Sequence, residues 1–170
     1  NLVFKDLDND GLYEPGAGEF GIDGVKLNLY LDDGDGVLNA GDGAAITMAI
    51  TSGGGLYTFT NLTPGAYIVA VDPSAFAAGG PLENMPTATG NESGGMAPDP
   101  DDDVDNDDNG YEVPQAGGPV LVATKAVTLT VGGEPDKPVD GDGINGNQTV
   151  DLGFINPAPT PTPTPTSTPA

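Results

Sequence analysis

Apolar positions in this chain come in short runs with a period of two, separated by turn-forming residues. Residues 24–31 show it most clearly. Val25, Leu27, Leu29 and Leu31 share one face, with Lys26, Asn28 and Tyr30 opposite. A period of two marks a half-buried antiparallel strand. Leu2, Val3 and Phe4 read as an opening strand. Residues 45–51 and, beyond a Ser-Gly-Gly-Gly turn, 56–59 read as two more. Residues 66–71 form a strong β run after the turn at 61–65. Residues 117–124, 126–131 and 149–154 complete the set, with Val150, Leu152 and Phe154 on one face of the last. Short strands at this spacing predict an all-β antiparallel sandwich. Two stretches break the rhythm. Residues 73–98 are rich in Ala, Gly and Pro and predict a long excursion with little regular structure, the kind of loop that is functional or held down. Residues 132–147 form a second open stretch.

Charge changes the picture of the loops. The 170 residues carry 26 acids against four lysines and no arginine, a formal net charge of −22. Such a balance argues against nucleic acid or anionic lipid as a partner. There is no histidine and no cysteine. That removes thiol nucleophiles, histidine acid–base chemistry, thiolate metal sites and disulfides. Oxygen donors remain, and carboxylate-rich flexible loops favour calcium over magnesium.

Three acidic stretches are candidate calcium sites, with two to three ions expected. In the first, Asp6, Asp8 and Asp10 alternate, Gly11 follows, and Glu14 and Glu19 come later. This is EF-hand-like spacing: three acids converge, glycine permits the sharp turn, and the Leu12 carbonyl points inward. An EF-hand places its bidentate acid at the twelfth position, here Ala17. Glu19 lies two residues beyond it, so this loop is longer. In the second stretch, taking Gly36 as the turn glycine makes Asp33 and Asp35 ligands, with the Val37 carbonyl, Asn39 and Asp42 after them. The first position then falls on Leu31, unless Asp32 swings in. The third stretch, residues 99–109, packs seven aspartates between Asp99 and Asp108. Like charge at that density either stays solvated or is neutralised by cations. Alternation predicts Asp101, Asp103, Asp105 and Asp107 as ligands. Asp102 and Asp108 would then point away, into solvent or toward a second ion, and the stretch would clasp residues 73–98 against the sandwich.

Residues 157–170 are a separate object, an alternation of Pro with Thr and Ser. Half the backbone donors are missing, so helix and central sheet are excluded and an extended polyproline II segment is expected. The predicted organisation is a sandwich domain over residues 1–156 and an extended linker or tail over 157–170. Thr160, Thr162, Thr164, Thr166, Ser167 and Thr168 are candidate O-glycan acceptors. Triplets at Asn61, Asn91 and Asn147 match the N-glycosylation pattern, which is short enough to arise by chance. No apolar run approaches membrane-spanning length. The chain opens directly in a strand-like run, which suggests a mature fragment or one repeat of a longer protein.

The residues together resemble a family. A strand leads into Asp6-x-Asp8-x-Asp10-Gly11, then Gly24-Val25-Lys26-Leu27. A Tyr57-to-Tyr67 block follows, then the Asp-rich segment and a closing Thr149-Val150-Asp151-Leu152-Gly153-Phe154. This order is similar to the SdrD B-like domain, a calcium-binding relative of the Cna B-type β-sandwich of bacterial surface adhesins. The resemblance implies an immunoglobulin-like sandwich, bound calcium, an extracellular or cell-surface location and tandem repetition. Some Cna B-type domains also carry a Lys–Asn cross-link, for which Lys5 and Asn156 lie at suitable ends. The acid such a reaction needs has no match between residues 56 and 71.

The function expected is a calcium-rigidified structural repeat of an extracellular bacterial fibre or surface stalk. It would pair with copies of itself or with adjacent tandem domains, head to tail. The alternative is an adhesin module that binds a surface ligand through residues 73–98. Catalysis is not expected: the acids lie on turns spaced as metal loops, and there is no tryptophan for sugar stacking.

Overall fold

A computed structural model describes residues 1–92, 97–114, 121–134 and 146–156. Nine strands lie among them: β1 Val3–Asp6, β2 Phe20–Gly21, β3 Lys26–Leu31, β4 Thr47–Ile50, β5 Gly65–Val71, β6 Tyr111–Val113, β7 Leu121–Ala123, β8 Val127–Leu129 and β9 Leu152–Ile155. They form two sheets. The smaller has the order β2-β1-β9. The larger has the order β4-β3-β5-β7-β6, with β8 also on β5. The strand pairs are antiparallel except β1 with β9, which run parallel with Val3 opposite Leu152 and Lys5 opposite Phe154. The fold is an all-β immunoglobulin-like sandwich.

The core follows from the alternation. Val25, Leu27 and Leu29 of the β3 segment turn inward and are buried, as are Val3, Val69, Val71, Leu152 and Phe154. Leu31 shares their phase but is exposed, because β3 leaves the sandwich there and enters the second acidic loop. β5 does not alternate, and the structure gives the reason. Its inner face packs on the main core, while Ile68 and Ala70 on its outer face pack with Ala123 and Leu38 in a second cluster. A strand covered on both faces reads as a continuous apolar run.

Two expected features differ. Residues 56–59 are not a strand. Leu56 makes single bridges to Leu2 and Ser52, and the chain then turns away. Residues 55–57 run beside the start of β1, where Val3 donates to Gly55 O and Tyr57 donates to Asn1 O, and β2 takes the same edge further along. Tyr57 still joins the core, donating its hydroxyl to the Val150 carbonyl at 2.8 Å. The excursion after β5 has a short 3-10 turn at Pro73–Phe76 and no strand among its described residues. It is nevertheless tied down. Ala88 donates its amide to the Gly153 carbonyl, Ile155 donates to the Pro86 carbonyl, and Thr87 bridges Phe154. Leu82 is fully buried, and Phe76 meets Phe154 with ring centroids 5.9 Å apart.

Candidate metal centres

The first acidic loop joins β1 to β2. Asp6 closes β1 and is buried, with its carboxylate turned into the loop. Its Oδ2 accepts the Gly11 amide at 2.9 Å and its Oδ1 accepts the Asn9 amide. Asp10 accepts the Leu12 amide at 2.9 Å. Glu19 accepts Leu7 N–H at 2.8 Å on one oxygen and Glu14 N–H at 2.7 Å on the other. The extra residues are absorbed by a 3-10 turn at Pro15–Ala17, ended by Gly18 at φ 101°. Glu19 therefore returns to the head of the loop despite its late position. Tyr13 packs its ring 5.4 Å from that of Phe4, which anchors the loop to the core.

The second loop follows β3 and repeats this wiring. Asp32 accepts the Gly36 amide at 2.9 Å, as Asp6 accepts Gly11. Asp35 accepts Val37 N–H at 3.0 Å, as Asp10 accepts Leu12. Asp42 takes the place of Glu19, accepting Asp33 N–H at 3.0 Å and Asn39 N–H at 2.7 Å. Asp32 thus fills the head position that a strict count gives to Leu31. The loop is one residue shorter there, so counting back from Gly36 misses it.

In each loop the structure brings acids together. Carboxylate oxygens of Asp6, Asp8 and Asp10 lie within 4.8 Å of one another, and so do those of Asp32, Asp33 and Asp42. Backbone amides hold Asp6, Asp10, Asp32 and Asp42 from one side, and like charges at that separation repel unless a cation lies between them. An all-oxygen, carboxylate-rich set of this kind fits a hard divalent ion of calcium's size. Glu19 stands beside the first cluster. Leu12 lies at its rim, bridged to Asp107, and Glu14 caps the 3-10 turn. Asp35, the Val37 carbonyl and Asn39 form a rim of their own in the second loop: the Asn39 amide nitrogen reaches Asp35 at 2.6 Å and Val37 O at 3.2 Å.

The third stretch departs from the alternation. Asp101, Asp103 and Asp105 are exposed, whereas Asp107, Asp108 and Asn109 are buried. Asp103 and Asn106 adopt positive φ of 62° and 67°, and left-handed residues turn the chain so that a period of two no longer sorts its side chains. Asp101 accepts the Thr128 amide at 2.8 Å. Asp108, expected to point away from the other ligands into solvent or toward a second ion, is fully buried, and its Oδ1 accepts Gly110 and Gly153 amides at 2.9 and 2.8 Å. Asn109 and Asp151 exchange hydrogen bonds, and Asp151 Oδ2 accepts the Asn106 amide. Among the described residues no hydrogen bond reaches Asp108 Oδ2 or Asp151 Oδ1. Burial pushes both carboxyls up, Asp108 well above the usual range and Asp151 to about 7.

This segment also locks onto the first loop. Tyr13 donates to Asn106 O and Asp108 donates to Gly11 O. The excursion reaches the same loop from the other side, where Thr89 N–H donates to Asn9 Oδ1 and the Asn91 amide to Gly11 O. The contacts that clasp the described part of residues 73–98 come from the first acidic loop and β9. Lys5 lies 5.6 Å from the centre of the Phe20 ring. The candidate O-glycan residues lie outside the described residues.

The architecture is that of an immunoglobulin-like sandwich with carboxylate loops at its strand ends. The family model of the SdrD B-like domain matches residues 1–141, and the chain belongs to that family. SdrD B-like domains are structural modules of cell-surface adhesins, and the family is not known as enzymatic. No curated protein and no solved structure matches the chain. Among the described residues, no helix is long and apolar enough to cross a membrane.

Proposed function

We propose that the chain is a calcium-rigidified repeat of an extracellular bacterial fibre or surface stalk, assembling head to tail with copies of itself or with adjacent domains. The observation that carries this reading is the shared wiring of the two loops. Each holds three carboxylates within 4.8 Å of one another on a scaffold of backbone amides. The loops lie at opposite ends of the strands: the first follows the end of β1, and the second follows Leu31, which pairs with Tyr67 near the start of β5. An ion in each would brace both ends of the sandwich, where a secreted domain of this size commonly uses disulfides. The adhesion reading through residues 73–98 has less support, because Ala75, Leu82, Ala88 and Ala97 of that segment turn inward.

Calcium titration of thermal stability tests the proposal. Binding to the folded state alone adds about 2.7 kcal/mol at one hundred times the dissociation constant. For a chain of this length that corresponds to roughly 5–10 °C in Tm. A Tm indifferent to EGTA and to added calcium would remove the metal from the mechanism.

A further inference from the structure

A groove of about 470 Å³ opens at one end of the sandwich, between the start of β5, β8 and the chain around residues 57–63 and 148–150. Phe59, Leu129 and Val131 line it, over the largely buried Tyr57, Tyr67 and Val150. None of its described lining residues is Asp, Glu or Lys. In a chain with 26 acids and a net charge of −22, a groove whose described lining side chains carry no charge stands out. Val131 at its rim is 86 % exposed, although it is among the most apolar side chains of the molecule.

One segment of the chain matches that surface. Residues 157–170 contain only Pro, Thr, Ser and Ala. They are the longest uncharged, proline-rich stretch available, and a neutral segment approaches a polyanion without repulsion. Aromatic-lined grooves take proline-rich segments in the polyproline II form, which loses little conformational entropy on binding. The position of the groove decides which copy supplies the segment. Val150 lines the groove, and Asn156 lies about 20 Å further along β9 at the strand rise of ~3.3 Å per residue. The Thr/Pro segment therefore departs from the end opposite the groove. For its own groove, a semi-rigid segment must reverse and run back along the domain, whereas the groove of the next copy lies ahead of it.

We propose that this groove receives the Thr/Pro segment, residues 157–170, of a second copy of the chain. The proposal rests on the head-to-tail reading above and gives it a surface. Fourteen residues in polyproline II form extend about 43 Å, enough to fill the groove and leave a spacer between domains. The contact is heterologous, since groove and segment are different surfaces, and it continues as an open array.

Sedimentation of the full chain over a concentration series, in calcium, tests this together with a labelled peptide of residues 156–170. The peptide should bind the full chain saturably and compete with self-association. Val131→Asp and Thr60→Asp, both at exposed positions, should each weaken the two effects at least tenfold and leave the calcium-dependent Tm rise unchanged. Self-association that ignores the peptide and both substitutions would overturn the proposal and leave head-to-tail assembly standing on another surface. Peptide binding without self-association of the chain would support the groove assignment and overturn the fibre. Photo-crosslinking from position 131 separates the remaining case: a product within one chain, independent of concentration, would show the segment docking on its own domain and overturn the exchange between copies.

Discussion

At the scale of single residues, the acids divide by what their oxygens already hold. Glu19 is buried, with both oxygens on backbone amides, so it shapes the loop before any ion arrives. Glu19→Ala should strand the Leu7 and Glu14 amides and destabilise the calcium-free protein by about 1–3 kcal/mol. Glu19→Gln keeps one acceptor and should lose less in chelator while still weakening the calcium response. Melting both variants with and without EGTA checks this, and equal losses in chelator would mean that the charge, not the hydrogen bonds, holds the loop. Asp151 behaves differently. Burial raises its folded carboxyl to about 7, against about 4 in the unfolded chain. Between those values the folded protein holds a proton that the unfolded chain releases. Its contribution is therefore complete below about pH 4 and is lost as pH rises through about 7. In calcium-free buffer Tm should fall by several degrees from about pH 5 to about pH 8, and Asp151→Asn should flatten that fall. A profile unaltered by the substitution would assign the slope to the other carboxylates.

Elements explain why some of this was legible in the sequence and some was not. β3 and β9 follow from alternation, since one face of each meets the core and the pattern records it. The gathering of acids in the first two loops was legible from their spacing around a turn glycine. Asp32 was obscured because its loop is one residue short, and Glu19 looked displaced because the 3-10 turn at Pro15–Ala17 cannot be read from spacing alone. Asp108 and Asp151 were hidden for another reason. What buries them is contact between segments more than forty residues apart, Asp108 with Gly153 and Asn109 with Asp151. The second loop makes a long-range contact of the same kind. Its Leu38 covers the outer face of β5, packed with Ile68, Ala70 and Ala123. Leu38→Ala should destabilise the fold by about 2–5 kcal/mol. It should also lower affinity at the second loop, because binding must then restore a loop that no longer rests on the sheet. Calorimetric calcium titration of the variant would show one weakened site and one unchanged, and two unchanged sites would uncouple the loop from the sheet.

For the whole molecule, the placement of the loops sets the pattern of response that the calcium proposal predicts. The first loop gathers the excursion and residues 106–109 at one end, through Asn9, Gly11 and Tyr13. The second loop holds the other end, where Ala126 donates to Gly36. Between them β5 is paired on both edges and covered on both faces, so its hydrogen bonds depend on packing and not on either ion. Removing calcium should therefore open the ends before the middle. Hydrogen exchange in EGTA should rise by an order of magnitude or more at the amides of Gly11, Leu12, Gly36 and Val37, while Val69 and Val71 keep their protection. A uniform rise that included β5 would mean that ion release and global unfolding are one event. Salt distinguishes a bound ion from general screening. At about 0.15 M the Debye length is ~8 Å, longer than the 4.8 Å that spans each carboxylate cluster. Monovalent salt should relieve the repulsion spread over a net charge of −22 without closing either loop. Added calcium should restore protection at both ends, because only an ion between the carboxylates acts within that distance.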